Sequence, residues 1–299
     1  MNRRTFLAGA VAARASAAGW RIRLSTSSVM FNSLPVEEAC RRIADAGYEA
    51  VDLWQGERFK ANHLDEALER LGPGGLKALL ERNRLKLCSF TCFYIGTERY
   101  AEMLGVAGGG DGLYIRESRY YGTTGPSSGA TRPKDIGDLR SQIRSVIESL
   151  KPSLEFADKY NFQVAIENHS SAILNSVDSF KVFLELASHP RLCIALAPYH
   201  LQRDGIPVEQ VIALIGKRTR FLYAWQNEPE IKQLPGFGST DFTPWLKALA
   251  EVDYRGYVNP FMHENLKVAP GERAGMPSDQ MSESIMKARR YLEQCRGKF

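Results

Sequence analysis

No run of apolar residues in this 299-residue chain approaches the roughly 18 that a membrane-spanning helix needs, so no membrane span is expected. Cysteine is sparse and without pattern. Cys40, Cys88, Cys92, Cys193 and Cys295 are odd in number and scattered. Cys88 and Cys92 lack zinc-ligand spacing, a second pair and a nearby histidine, so the five read as small buried apolar residues. A phosphate-cradling glycine loop is missing too. Gly108-Gly-Gly-Asp-Gly112 precedes an apolar run with strand character rather than a helix, which excludes a dinucleotide site. Asp204-Gly205 is a turn signal and carries no chemistry. Nor is there a strong excess of one charge. Of the formal +5, Arg3, Arg4 and Arg14 supply three within a stretch free of acid, so neither a nucleic-acid partner nor a membrane surface is indicated.

What is present is an ordinary globular composition, 44% hydrophobic and 24% charged, with ample material for a large core. The first residues read MNRRTFLAGAVAARASAA. A twin-arginine pair, Phe6-Leu7, a short apolar stretch interrupted by Arg14 and small residues before Trp20 predict an export signal over 1–19. The alternative is a disordered tail. Twin-arginine export carries folded proteins, so free thiols are compatible with a periplasmic or otherwise exported destination. Residues 20–299 read as one domain.

After Gly19, short apolar runs alternate with helical patterns, the mark of a parallel βα array. Strands are predicted at 21–27, 50–54, 85–93, 113–120, 162–168, 192–198, 221–225 and 256–263. A helix opens at Pro35 and stops at Gly47. The helical stretch 64–82 is expected to split at Gly72-Pro73-Gly74-Gly75, and Pro152 to kink the helix that begins near Gly137. Further helices are predicted near 98–104, 177–187, 208–215, 244–251 and 279–295. A Gly/Ser/Pro-rich stretch follows the fourth strand at about 121–135. Eight strands with eight helical regions predict an α/β fold of the (β/α)8 TIM-barrel type, with an open doubly wound sheet as the alternative.

Alternation assigns the faces. In the fifth strand Phe162, Val164 and Ile166 suit the helix layer, which turns Gln163, Ala165 and Glu167 into the barrel. Cys193, Ala195 and Ala197 are the inward set of the sixth strand. Tyr257, Asn259, Phe261 and His263 share one face of the eighth. A carboxylate inside a barrel is costly unless it has a partner, so Glu167, at a strand's C-terminal end, is a site candidate rather than packing. Trp54, Tyr223, Trp225 and Phe261 form either an aromatic rim for a sugar ring or barrel-top packing. Arg116 and Arg119, with Tyr120 and Tyr121, precede the long stretch and suit either an anionic or polyhydroxy substrate or a solvated surface.

Three segments carry a resemblance: residues 165–169 (AIENH), 194–201 (IALAPYHL) and 236–261. They resemble the sugar phosphate isomerase/epimerase family, the xylose-isomerase-like TIM barrels, and similarity in layout extends over 21–291. The resemblance implies a divalent ion, commonly manganese, held by Glu, Asp, His and Glu on strands five to eight, with the glutamates moving a proton beside a carbonyl. Laid on this chain, those four positions fall on Glu167, Ala197, Trp225 and Phe261, so a single ligand remains. His200 matches the histidine that reaches substrate in relatives. Manganese or zinc would then need a rebuilt set of Glu167, His169, His200 and His263; otherwise no cofactor is expected. The implied function is an isomerase or epimerase, or a related lyase or hydrolase, acting on a carbohydrate. Glu167 and His200 would be catalytic, and His169, Trp225, His263, Trp54 and Arg116 would contact substrate. The second class is a carbohydrate-binding barrel without catalysis. The third, a DNA-repair endonuclease, needs a multi-zinc cluster that the sequence does not contain.

The signal predicts that an exported-reporter fusion is active only when Arg3-Arg4 is intact. Equal export of an Arg3→Lys/Arg4→Lys variant would exclude the twin-arginine route.

Overall fold

The computed structural model describes residues 19–56, 60–93, 96–118, 131–263 and 276–299. Residues 1–18 of the predicted signal, Arg119 to Tyr121 and most of the Gly/Ser/Pro-rich stretch lie outside the described residues. Eight strands form the barrel: β1 (Ser25–Ser27), β2 (Ala50–Gly56), β3 (Lys86–Cys92), β4 (Leu113–Glu117), β5 (Gln163–Glu167), β6 (Leu192–Leu196), β7 (Thr219–Ala224) and β8 (Tyr257–Pro260). Each pairs in parallel with the next. A parallel bridge between Leu24 and Val258 brings β1 against β8 and nearly closes the ring. Closure leaves few sheet edges exposed, and helices cover the outer face, which is why both faces of every strand are largely buried. A short antiparallel pairing of Ala61–Asn62 with Gln55–Gly56 extends the end of β2.

The helices follow local chemistry. Val36–Asp45 begins after Pro35 and buries Val36, Ala39, Cys40 and Ile43 on one face. Val177–Leu186 starts with a reciprocal cap in which Ser176 and Ser179 satisfy each other's backbone N–H groups, a motif worth about 0.5–2 kcal/mol. The predicted break near Gly72 is present, where φ is +65°. The glycines and Pro73 are not a linker, however; they form the first turn of Gly72–Arg82, because proline is tolerated where no helical N–H is needed. Pro152 acts the same way. Instead of kinking one helix it starts a second, Lys151–Tyr160, after Ile136–Ser149. The eighth strand is shorter than the sequence suggests and ends at Pro260, leaving Phe261 and His263 just beyond it.

Two register shifts set the barrel interior. Between β2 and β3, Val51 faces Leu87 and Asp52 faces Ser89, so Cys88 is skipped. Between β6 and β7, Ile194 faces Thr219 and Ala195 faces Phe221, so Arg220 is skipped. Bulges of this kind re-aim side chains. The first lines Asp52 up with Ser89 and Thr91. The second aligns Phe221 and Tyr223 with the inward Ala195. The lower interior is accordingly polar, with Ser25, Ser27, Asp52, Ser89, Thr91 and Asn259 all fully buried, where barrels of this class usually carry branched aliphatic residues.

Gly256 shows how tightly the ring is drawn. A Cβ there would lie 2.0 Å from the Arg220 carbonyl oxygen, a backbone atom that cannot yield. Gly256→Ala is expected to destabilise the fold by about 1–3 kcal/mol or more, measured as a lower urea midpoint; an unchanged midpoint would contradict the packing.

Candidate functional site

Glu167 ends β5, buried, with Glu117 of β4 directly beside it in register and Ala195 on its other side. Its Oε2 has no hydrogen-bond partner among the described residues. The Tyr223 hydroxyl reaches the carboxyl from β7. Burial holds Glu167 well above the usual carboxylate range, and the neighbouring charges of Glu117 and Asp52 push the same way, while the Tyr223 hydroxyl opposes them. The carboxylate neighbourhood comes from the β4–β5 register, which sets Glu117 beside Glu167.

An aromatic and imidazole wall rises from there. Tyr223 packs 5.1 Å from Phe261, which stacks on Trp54 at 5.3 Å and meets Trp225 edge-on at 5.2 Å. Tyr199 stacks on Trp225 at 4.1 Å. His263 lies 4.6 Å and His200 5.2 Å from the Trp225 ring, and His169 lies 3.8 Å from His200. Thus Glu167, His169, His200, Trp225, His263 and Trp54 belong to one contiguous cluster at the C-terminal ends of the strands. Arg116 does not join it. Its guanidinium sits over the Tyr114 ring at 5.9 Å, on the face of β4 that alternates away from Glu117 and Glu167. Strand parity turns Arg116 toward the helix layer.

Local geometry fixes the imidazoles. His169 Nδ1 accepts the Ser171 N–H at 3.1 Å and lies 2.9 Å from that residue's hydroxyl. His200, in the Pro198–Arg203 turn of helix, has Ser170 Oγ 3.4 Å from Nδ1, and Arg203 donates to the same Ser170 oxygen at 3.2 Å. Burial, then the nearby His169, His263 and Arg203, hold His200 well below the ordinary imidazole range. It stands neutral, so no imidazolium charge offsets the rise at Glu167. Gln233 braces the rim, its Oε1 accepting both the Trp225 indole N–H and the His263 backbone N–H at 3.0 Å.

Sequence reasoning missed Asp52, Glu117, Thr91 and Tyr199. Asp52 shares a face with Trp54 two residues on, a signal that alternation alone offered. Glu117 needed the β4–β5 register, and Thr91 the bulge. Asp52 is fully buried and its carboxyl is pushed up to about 6 by burial, against four side-chain donors. An unfolded aspartate titrates near 3.8. Its contribution to stability is therefore full below that pH and is lost as pH rises through about 6.

The donor set does not fit a divalent ion. Of the four positions that hold metal in the resembling family, Ala197, Trp225 and Phe261 are buried and offer no coordinating atom. Among the described residues no group of three or more His, Cys, Asp or Glu side chains is arranged to hold one. This includes the rebuilt set of Glu167, His169, His200 and His263, and the same observation speaks against a multi-zinc nuclease centre.

Taken together, the chain is a (β/α)8 barrel with a buried carboxyl and an aromatic wall at the strands' C-terminal mouth. A family model for the xylose isomerase-like TIM barrel matches residues 119–278, and the chain belongs to that family. No curated protein matches it in sequence. Among solved structures it is similar to a 3-keto-D-glucoside 4-epimerase from E. coli, at 17% identity and TM-score 0.65, covering 90% of this chain and 100% of that one. It is also similar to a D-psicose 3-epimerase with D-tagatose from Clostridium cellulolyticum H10, at 14% identity and TM-score 0.69, covering 92% and 99%. The IolI protein with a bound zinc atom aligns at 11% identity and TM-score 0.67, covering 93% and 99%. At these identities the likeness establishes the fold.

Calorimetric titration of chelator-treated protein with manganese is expected to show no one-to-one micromolar site. Such a site would overturn the donor argument, and His263→Ala would then show whether the rebuilt set holds the ion.

Proposed function

We propose that this chain is an isomerase- or epimerase-like barrel that acts on a carbohydrate by moving a proton beside a carbonyl, with Glu167 as the acid/base and His200 orienting substrate. The observation that carries the reading is the Glu167 carboxyl. It is buried at the C-terminal end of β5 with one oxygen unpartnered among the described residues and an aromatic and imidazole wall adjoining it. A carboxyl raised by burial is a stronger base when ionised and a ready donor when protonated, which suits proton abstraction and return. Neutral His200 supplies an N–H donor without a competing positive charge. Trp54, Trp225 and Phe261 form a buried apolar backing, stacked on one another and on Tyr199, with the half-buried His169 and His263 as polar contacts at the rim. The sugar epimerases among the similar structures support a small-molecule carbohydrate as the substrate class. Catalysis here proceeds without the family's four-ligand metal, because three of its positions carry no donor. We also propose that the protein works after twin-arginine export, on the strength of its N-terminal sequence.

A second reading rests on a specific observation. Aromatic side chains at two of the former ligand positions, stacked into the wall, suit a barrel that binds carbohydrate without turning it over. A screen of a carbohydrate library for turnover and for binding, wild type against Glu167→Gln, separates the two. The enzyme reading expects turnover to fall roughly 10²–10⁴-fold in Glu167→Gln with ligand binding retained. Binding without turnover by wild type would favour the binding barrel, and undiminished turnover in Glu167→Gln would remove Glu167 from the chemistry.

A further inference from the structure

We propose that Asp52 is the positioning residue of this site, holding from beneath both the Tyr223 hydroxyl that meets Glu167 and the Trp54 indole of the aromatic wall. The inference rests on the reading of this cluster as the functional site. Its test does not depend on any substrate.

Asp52 sits in mid-β2, fully buried, and gathers donors from three strands. Oδ1 accepts from Ser89 and Thr91, each at 2.8 Å; Oδ2 accepts from Ser27 at 2.7 Å and from the Trp54 indole N–H. Neither Asp52 nor Glu167 forms an ion pair among the described residues. A packed aliphatic side chain would fill this place with no desolvation penalty, so what distinguishes the carboxylate is what its donors connect to. One arm ends on Trp54, which stacks on Phe261. The other runs through Thr91, whose Oγ1 lies 3.4 Å from the Tyr223 oxygen, and on to Glu167.

Thr91 has one hydroxyl proton. While Asp52 is ionised that proton is committed to Oδ1, and Thr91 shows Tyr223 only lone pairs. Once Asp52 is protonated, the Thr91 proton is free to turn to the Tyr223 oxygen, which aims the phenolic proton at Glu167. The state of a carboxyl beneath the cluster thus selects the hydrogen-bond pattern at the acid/base. The groups that face Asp52 are Ser27 of β1, Trp54 of β2, Cys88, Ser89 and Thr91 of β3, Tyr223 of β7 and Asn259 of β8, the last reached through Ser27 Oγ at 3.1 Å. The charge of Glu167 on β5 acts on the same cluster.

The experiment is a pH titration of the Tyr223 resonance in protein labelled with ζ-13C tyrosine, assigned by its loss in Tyr223→Phe. Wild type is expected to show an inflection near pH 6, where Asp52 titrates. Asp52→Asn and Thr91→Val should both abolish it. Ser89→Ala removes a donor to Asp52 that is not on the path to Tyr223; it should keep the inflection and move it to higher pH, since losing a hydrogen bond to the ionised form raises the carboxyl further. Thr91→Val is close to isosteric and serves if Asp52→Asn does not fold. An inflection near pH 6 that survives in Thr91→Val or Asp52→Asn, each combined with Glu167→Gln to remove the carboxyl in direct contact with Tyr223, overturns the proposal, as does a flat wild-type titration. Sugar binding is scored separately: the expected titrations in a protein that binds no carbohydrate would uphold the positioning role and overturn only the functional reading.

Discussion

Ionisable groups carried into a barrel with no counter-ion among the described residues set the terms for everything above them. A buried carboxyl must be neutralised, hydrogen-bonded or paired. Asp52 takes the second course with four donors, and Glu167 is pushed toward the first by burial and by its carboxylate neighbours. The polar lower interior, with Ser25, Ser27, Ser89, Thr91 and Asn259 packed around Asp52, follows from that requirement. So does the reach of Tyr223 toward Glu167. Remove the carboxyls and the barrel would have no reason to depart from an aliphatic filling.

The mouth of the barrel answers a different constraint. Of the four positions that hold an ion in the resembling family, this chain keeps the glutamate and places a methyl group and two aromatic rings at the other three, and the space is closed by stacking: Tyr199 on Trp225, Trp54 on Phe261, and the imidazoles of His169, His200 and His263 around them. On the function proposed above, apolar surface and neutral hydrogen-bond donors stand where a cation would otherwise act, and the ligand is one recognised by apolar contact and hydroxyl groups. That arrangement also places the burden of any proton transfer on the carboxyl itself.

Much of this was legible in the chain. The alternation of apolar runs and helical patterns foretells eight strands in one parallel array, because period-2 and period-3.6 burial are local properties of the backbone. Glu167 declares itself by parity and position, a charge on an otherwise inward apolar strand end. The residue types at the positions matched to the resembling family's ligands are equally plain, since the side chains of alanine, tryptophan and phenylalanine offer a metal no donor in any fold.

What tertiary structure alone decided is which inward residues touch. A skipped Cys88 aligns Asp52 with Ser89 and Thr91, and a skipped Arg220 aligns Tyr223 with the interior. The β4–β5 register puts Glu117 beside Glu167 and turns Arg116 to the other face. Sequence determined each strand's face, because side chains alternate along a single chain. It did not determine the stagger between strands, because bulges and register arise only when the ring closes and neighbouring backbones must share their hydrogen bonds.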